Sequence, residues 1–214
     1  MRKKLLRGAN PLAVLLIVAF TTSAVPATTN RVTSQSQTPR TDYLTFAHGA
    51  LPVAIEGDAK VLGVEMEQAL LAIDGNEGGY ALTPKPGAAT SNVAFVYSLP
   101  ARTTFTEFGV PNVLETPSPS QTFVQHVEVA GSDAGPNGPF RTLATATLTT
   151  HTAKGQNTTI PVTASVAIRW VRVSLKGGID VQRDKTFFEF SEIMGYGTQE
   201  SVPLSKAFNG KWKG

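Results

Sequence analysis

The sequence predicts an all-β fold, a sandwich or a barrel of antiparallel strands. From residue 42 to about residue 198, apolar and polar residues alternate in short runs bounded by Gly, Pro, Asn and Asp, which is the pattern of half-buried strands. The runs recur about every ten residues with almost no helical periodicity, which favours a sandwich or a barrel over an α/β fold. The runs that show the alternation best are residues 92–98, 103–110, 122–130, 167–175 and 186–194.

Alternation also predicts which side chains point inward. In the run 167–175 we expect Ile168 and Trp170 to face the core, because successive side chains of a strand point to opposite faces. Residues 61–72 have the only helix-like spacing. That stretch is short and contains Gly63, so it predicts a weak helix.

The first 27 residues have the layout of a cleavable secretory signal. A basic start (residues 1–7) precedes an apolar run (11–20) and a group of small residues that ends at Ala27. A membrane-spanning helix needs about 20 apolar residues, and this run is half as long. We therefore expect cleavage after Ala24 or Ala27 and an exported protein of a bacterium-like cell, located in the periplasm, outside the cell or at its surface.

Removing the signal changes the charge of the chain. The whole sequence has 19 Lys and Arg against 16 Asp and Glu, and residues 1–27 contain four of the basic residues and none of the acidic ones. The remaining 15 against 16 argue against a nucleic-acid partner, for which a basic surface is expected. There are no cysteines, which excludes disulfides, thiolate metal sites and a cysteine nucleophile.

The chain divides into four segments. The signal is followed by a polar stretch, residues 28–41, which lacks large apolar residues and is predicted to be a flexible linker. The β domain occupies residues 42–198, and residues 199–214 form a short C-terminal tail. The tail either docks back on the domain or begins a further domain.

Three groups of motifs follow one another along the β domain: LLAIDGN (70–76), FVQHVEVAGS (123–132) with GPFRTL (138–143), and AIRWVRVSL (167–175) with FSEIMGYG (190–197). In this order they resemble the discoidin-like, galactose-binding-like domains of the coagulation factor C-type and of bacterial carbohydrate-binding modules. The resemblance covers about residues 47–198 and implies a jelly-roll, antiparallel β-sandwich. One departure is that the first loop continues as EGGYA, with Tyr80 as its aromatic residue and without the family's usual Thr.

The resemblance implies a structural calcium ion as the only cofactor to consider. Members of the family that bind calcium use the acidic residue of the first loop, nearby carbonyl groups and a Glu of the last strand. The matching positions are Asp74, Asn76 and Glu192, and oxygen ligands suit Ca²⁺. The alternative is that Asp74 belongs to an ordinary turn and Glu192 is a surface residue of an edge strand.

The resemblance also implies a carbohydrate site on loops at one end of the sandwich. Such a site combines a planar side chain with groups that hydrogen-bond to hydroxyls. The alternatives are that His126, within an alternating strand, simply faces solvent and that the segment around His151 is only a connector. The candidate residues are Tyr80, Arg102, His126, His151 and Asn157.

Signals for catalysis are missing from the sequence. There is no Gly-x-Ser-x-Gly elbow, and the three histidines lack metal-binding spacing. Glu189 and Glu192 are three apart on a predicted strand, so they should point to opposite faces. We therefore expect a secreted, non-catalytic module that binds a glycan or another surface polymer. The alternatives are a structural or protein-interaction domain that is accessory to another domain or partner and, third, a hydrolase.

Overall fold

The computed structural model describes residues 31–34, 40–77, 90–111, 122–148, 156–180 and 189–202. The predicted signal, residues 1–27, lies outside these ranges. Within them no helix is long and apolar enough to cross a membrane. The elements are β1 (Arg31–Ser34), a 3₁₀ turn (Phe46–His48), β2 (Leu51–Gly57), α1 (Ala59–Leu62), α2 (Met66–Leu71), β3 (Asn92–Pro111), β4 (Thr122–Ser132), β5 (Arg141–Thr147), β6 (Gln156–Pro161), β7 (Ala167–Asp180) and β8 (Met194–Gln199).

The long strand β3 belongs to two sheets. Its first half lies between β2 and β7, with Phe95 opposite Ile55 on one side and Val173 on the other. Its second half lies between β6 and β8, with Phe108 opposite Ile160 and Gly195. All eight strands are joined through β3 into one hydrogen-bonded sheet with the order β1-β6-β3-β7-β4-β5, and β2 and β8 also pair with β3. We call its β2-β3-β7-β4-β5 part the larger sheet and its β8-β3-β6-β1 part the smaller sheet. The register of β3 against β7 shifts between Ser98 and Thr103, where the chain passes from one sheet to the other.

The core lies between the inner faces of the two sheets, as expected of an antiparallel β-sandwich. Alternate residues of the central strands supply it, because period-two alternation puts every second side chain on the same face. The small helical part closes one side of this core, where the hydroxyl of the buried Tyr97 donates a 2.9 Å hydrogen bond to the carbonyl of Ala69 in α2. The largest side chains in the core include Tyr97, Phe95, Phe105, Phe108 and Phe190, all at most 1 % exposed.

Part of the predicted linker, residues 28–41, is ordered as a strand. Residues Arg31–Ser34 form β1 and pair with β6. Arg40 also contacts the domain, with its guanidinium 4.2 Å from the centre of the Tyr196 ring and in an ion pair with Glu107. Neither contact needs apolar burial, because an edge strand can be held by backbone hydrogen bonds and a cation by a ring and a carboxylate.

Two local predictions also need correction. Trp170 is only partly buried, because the β3–β7 register shift lies between Ile168, which is in the core, and Trp170. Glu192 lies in an irregular segment before β8 rather than on the final strand.

The weak helix is present but interrupted: Gly63, at φ 60°, ends α1 in the left-handed conformation before α2 begins.

A side chain at Gly197 should destabilise the contact between β3 and β8. A Cβ atom there would overlap the carbonyl oxygen of Thr104 and lie 2.8 Å from the Cα of Phe105, and backbone atoms cannot move aside cheaply. We expect Gly197→Ala to lower the free energy of unfolding by about 2–3 kcal/mol. Urea denaturation measures it.

Gly135→Ala is the matched control for this prediction, since nothing lies within 4 Å of a Cβ at Gly135. It should change the free energy of unfolding by less than about 0.5 kcal/mol. Equal stability of the two variants would contradict the close approach of the strands.

Candidate functional site

The first acidic loop and Glu192 are in contact, although 117 residues separate Gly75 and Glu192. The backbone N–H of Gly75 donates a 2.7 Å hydrogen bond to Glu192 Oε1. Beside it, the N–H of Ile193 donates to the carbonyl of Ala72 at 2.9 Å. The exposed Asp74 accepts a 2.8 Å hydrogen bond from the N–H of Asn76, so the loop is a tight turn. Glu192 itself is 0 % exposed, so the surface-residue alternative for this position is wrong.

Carboxylates crowd around Glu192. Burial raises the pKa of Glu192 to about 8, the hydrogen bond from Gly75 opposes this, and the charges of Asp42, Asp74 and Glu77 raise it further. Burial likewise raises the pKa of Asp42 to about 6. The N–H groups of Gly195 and Leu44 oppose that rise, because both donate to Asp42 Oδ1, at 2.7 and 2.9 Å. Burial and the neighbouring carboxylates therefore favour the protonated forms of Glu192 and Asp42.

One oxygen of this cluster fits an oxygen-seeking cation. Glu192 Oε2 is buried and has no hydrogen-bond partner, a costly state for a carboxylate. Among the described residues, however, no group of three or more His, Cys, Asp or Glu side chains is arranged to hold a metal ion. A cation at Glu192 would therefore need backbone carbonyls or water among its ligands, which Ca²⁺ accepts.

Arg102 and Asp133 meet at one end of the sandwich. Arg102 lies within the stretch of β3 that passes between the sheets. Asp133 directly follows β4. The guanidinium and the carboxylate are 3.0 Å apart, and the two side chains are 46 % and 45 % exposed. The carbonyl of Arg102 accepts a 2.9 Å hydrogen bond from the N–H of Glu200. The backbone of Arg102 is therefore tied to the segment after β8, while both charged side chains stay about half exposed.

Aromatic side chains lie at the same end. Trp170 is the cross-strand partner of Ser132, the residue before Asp133. The guanidinium of Arg169 is 5.9 Å from the centre of the Trp170 ring, and its Nε donates to the carbonyl of Leu99 at 3.1 Å. Sequence reasoning missed Trp170 and Asp133 as site residues. Their closeness to Arg102 depends on the β4–β7 pairing, which no local pattern reveals.

A second aromatic contact lies nearby, where the guanidinium of Arg172 is 4.9 Å from the centre of the Phe140 ring. Arg172 is the cross-strand partner of Ala130 on β4. Phe140 directly precedes β5. A planar aromatic–guanidinium pair therefore borders the Arg102–Asp133 end on the larger sheet.

His126 lies on the outer face of the larger sheet, as the solvent-facing alternative predicted. Its Nδ1 is 3.1 Å from Thr147 Oγ1, and Lys176 Nζ is 3.8 Å from Glu128 Oε2. A shallow cleft of about 520 Å³ opens between these side chains. It is lined by His126, Val127, Glu128, Thr145, Ala146, Thr147 and Lys176.

The three predicted carbohydrate residues that the structure describes, Arg102, His126 and Asn157, do not converge on one place. Asn157 is on β6 opposite Pro111, and its side chain lies beside Gly109 and Met194 in the smaller sheet. His126 is six residues along β4 from Ser132, roughly 20 Å from the Arg102 end. Tyr80 and His151 lie outside the described residues. Of these three, only Arg102 is tied to the segment next to Trp170, because its ion-pair partner Asp133 follows Ser132, the cross-strand partner of Trp170.

No protein-family model matches the sequence, and no curated protein sequence matches it. Solved structures do match. A putative chitobiase fragment from Bacteroides thetaiotaomicron superposes with a TM-score of 0.53 and 17 % identity, over 79 % of this chain and 98 % of that one. The CBM32-3 module of a family 31 glycoside hydrolase from Clostridium perfringens gives 0.50 and 13 %, over 70 % and 91 %. An F5/8 type C domain from Bacteroides fragilis gives 0.45 and 18 %, over 71 % and 98 %.

The first two matches establish the fold. The chain has the β-sandwich fold of these two structures, which is the fold that the resemblance to discoidin-like, galactose-binding-like domains predicted.

The raised pKa values predict how stability depends on pH. The folded domain retains protons on Glu192 (pKa 4.5 raised to about 8) and Asp42 (3.8 raised to about 6) that the unfolded chain has lost. When a chelator removes Ca²⁺, the free energy of unfolding should therefore fall as the pH rises from about 4.5 to about 8. Urea denaturation across this range measures the slope. Glu192→Gln, which cannot ionise, should remove most of it above about pH 6. Stability that rises through this window would contradict the assignment.

Proposed function

We propose that this chain is an exported, non-catalytic module that binds carbohydrate at the end of the sandwich formed by Arg102, Asp133 and Trp170. The observation that carries the proposal is the half-exposed Arg102–Asp133 ion pair, 3.0 Å across, next to Ser132, the cross-strand partner of the partly exposed Trp170. Export is supported by the order of basic, apolar and small residues in the first 27 positions.

The chemistry of this end suits sugar hydroxyls. A carboxylate accepts hydrogen bonds and a guanidinium donates them, and bonds to charged groups are about twice as strong as neutral ones. The indole of Trp170 offers an apolar plane against which the C–H face of a sugar ring can pack. The strands hold these groups rigidly, so little conformational entropy is lost on binding.

The named neighbours support the same class of ligand. The CBM32-3 module is described as part of a glycoside hydrolase, and the second neighbour is a fragment of a putative chitobiase. Catalysis by this chain has no comparable support: Glu189 and Glu192 are 2 % and 0 % exposed, so they do not form an accessible carboxylate pair.

A protein-interaction domain is the second candidate function, and one observation favours it. Leu51 and Val53 on β2 are 48 % and 41 % exposed, and Phe46, just before β2, is 50 % exposed. Pro52 and the register shift between Pro52 and Ala54 argue against this strand as a pairing edge. We therefore rank this function below carbohydrate binding.

We also propose a structural calcium ion at Glu192. Glu192 and the Asp74 loop would hold it, with backbone carbonyls completing the ligand set, and Asp42 and Glu77 would add negative charge. The ion would supply the positive charge that compensates a buried carboxylate. Its support is the unpartnered Oε2 of Glu192. Asn76, whose backbone N–H donates to Asp74, belongs to the same loop.

Removing either the Arg102–Asp133 ion pair or the Trp170 indole should abolish glycan binding. Arg102→Ala and Trp170→Ala, each shown by circular dichroism to be folded, should reduce the signals of the mature chain on a glycan array to background. Lys60→Ala, at an exposed lysine in α1, is the control and should bind as wild type. Binding by wild type that survives both substitutions would place the site elsewhere. No glycan bound by wild type, with a protein captured instead, would favour the second candidate.

Calcium should stabilise the domain. A ligand present at a hundred times its dissociation constant adds about 2.7 kcal/mol to the free energy of unfolding, so millimolar Ca²⁺ should raise the melting temperature of wild type. Asp74→Ala and Glu192→Gln should lose this shift, since each removes a negatively charged oxygen ligand. Glu65→Gln, at an exposed glutamate before α2, should keep it. No shift for wild type at millimolar Ca²⁺ would end the proposal.

A further inference from the structure

We infer that the ligand of this module is an acidic sugar, whose anionic group, a carboxylate or a sulfate ester, binds the guanidinium of Arg169 beside Trp170. The inference rests on the proposed function and names the ligand class of the same site. A neutral sugar needs only hydrogen-bonding groups and a plane for its ring. This end of the sandwich contains, in addition, a second arginine that no described acidic residue neutralises.

A bulge in β3 brings Arg102 and Arg169 close together. Between two paired positions of β3 and β7, the four residues 99–102 of β3 lie opposite the single residue Arg169. Arg169 Nε donates a 3.1 Å hydrogen bond to the carbonyl of Leu99, the first residue of this bulge. Arg102 is its last residue. The guanidinium of Arg169 is therefore fixed against the segment that carries Arg102.

Asp133 reaches the same place from the other neighbour of β7. Ser132 of β4 is opposite Trp170, so Asp133, the next residue, comes level with Arg169 of the antiparallel strand. β3 and β4 lie on the two sides of β7, about 10 Å apart at the usual spacing of strands. The 3.0 Å ion pair between Arg102 and Asp133 therefore spans β7 at the position of Arg169.

These contacts leave one positive charge in excess. Asp133 is paired with Arg102, whereas Arg169 is in no ion pair within the part of the chain that the structure describes. The exposed Glu200 binds the carbonyl of Arg102 through its N–H. It lies on the side of β3 away from β7, because Thr103 pairs with β7 on one side and with β8 on the other. On the β7 side, two guanidinium groups therefore share one carboxylate.

The remaining edge of Arg169 suits an anion. Its Nε is used by Leu99, which leaves the two terminal nitrogens without an acceptor among the described residues. A guanidinium edge binds a carboxylate or a similar oxyanion through two parallel hydrogen bonds. The guanidinium is 5.9 Å from the centre of the Trp170 ring. A sugar ring packed on the indole would thus present an attached anionic group to Arg169, and its hydroxyls to the ion pair.

The surrounding charge favours the same ligand class. Arg172, two residues further along β7, has its guanidinium 4.9 Å from the centre of the Phe140 ring and forms no ion pair with a described residue. It adds positive charge near Trp170 without touching the ligand. An amino sugar would be repelled by these groups, whereas an acidic sugar would be attracted.

The test compares each acidic sugar with its neutral counterpart. Isothermal titration calorimetry would measure the binding of oligomers of galacturonate and glucuronate, of their methyl esters, and of sulfated and unsulfated galactose to the mature chain. We expect at least one acidic sugar to bind about tenfold or more tightly than its neutral counterpart, equivalent to about 1.4 kcal/mol. The pair that shows this preference decides between carboxylate and sulfate. The preference should shrink between about 0.05 and about 0.5 M NaCl, because salt screens exposed charges.

Variants of Arg169 test the assignment, once circular dichroism shows that they are folded. Arg169→Gln removes the charge but keeps a donor for the Leu99 carbonyl, so it should bind the acidic and the neutral sugar equally. Arg169→Lys keeps the charge but not the two parallel donors, so it should weaken the acidic sugar more than the neutral one. Lys60→Gln removes a positive charge in α1 and is the matched control, which should keep the full preference.

Two contrary results are distinguishable. If the neutral counterparts bind the wild-type chain as tightly as the acidic sugars, or if the folded Arg169 variants keep the full preference, the acidic-sugar site is wrong while carbohydrate binding stands. If neither these sugars nor any glycan on the array binds the wild-type chain, the proposed function fails together with the inference.

Discussion

The structure depends on a single strand that serves both sheets. β3 is 20 residues long and leaves the larger sheet for the smaller one between Ser98 and Thr103. This passage joins the two layers covalently and interrupts the alternation of inward and outward side chains. It also places Arg102 at an end of the sandwich, where Asp133 can reach it. The candidate site is thus a consequence of how the strand changes sheets.

The same constraint explains what could be predicted from the sequence. Alternation depends only on near neighbours, so it revealed the β architecture and the buried Ile168, and the ordered motifs identified the sandwich. Alternation failed at Trp170, because the register shift beside it changes which face an even-numbered residue occupies. The contacts of Asp133 and Phe140 depend on strand pairing over long distances, which a single sequence does not show.

Glu192 shows where the resemblance was informative and where it was not. It pointed to Asp74 and Glu192 as neighbours, and the hydrogen bond from Gly75 brings their segments together. It did not indicate that Glu192 is fully buried with an unpartnered oxygen, nor that Asp42 adds a charge. A buried carboxylate among other carboxylates is destabilising unless it is protonated or paired with a cation. Both states couple the first loop to the segment before β8 through one side chain.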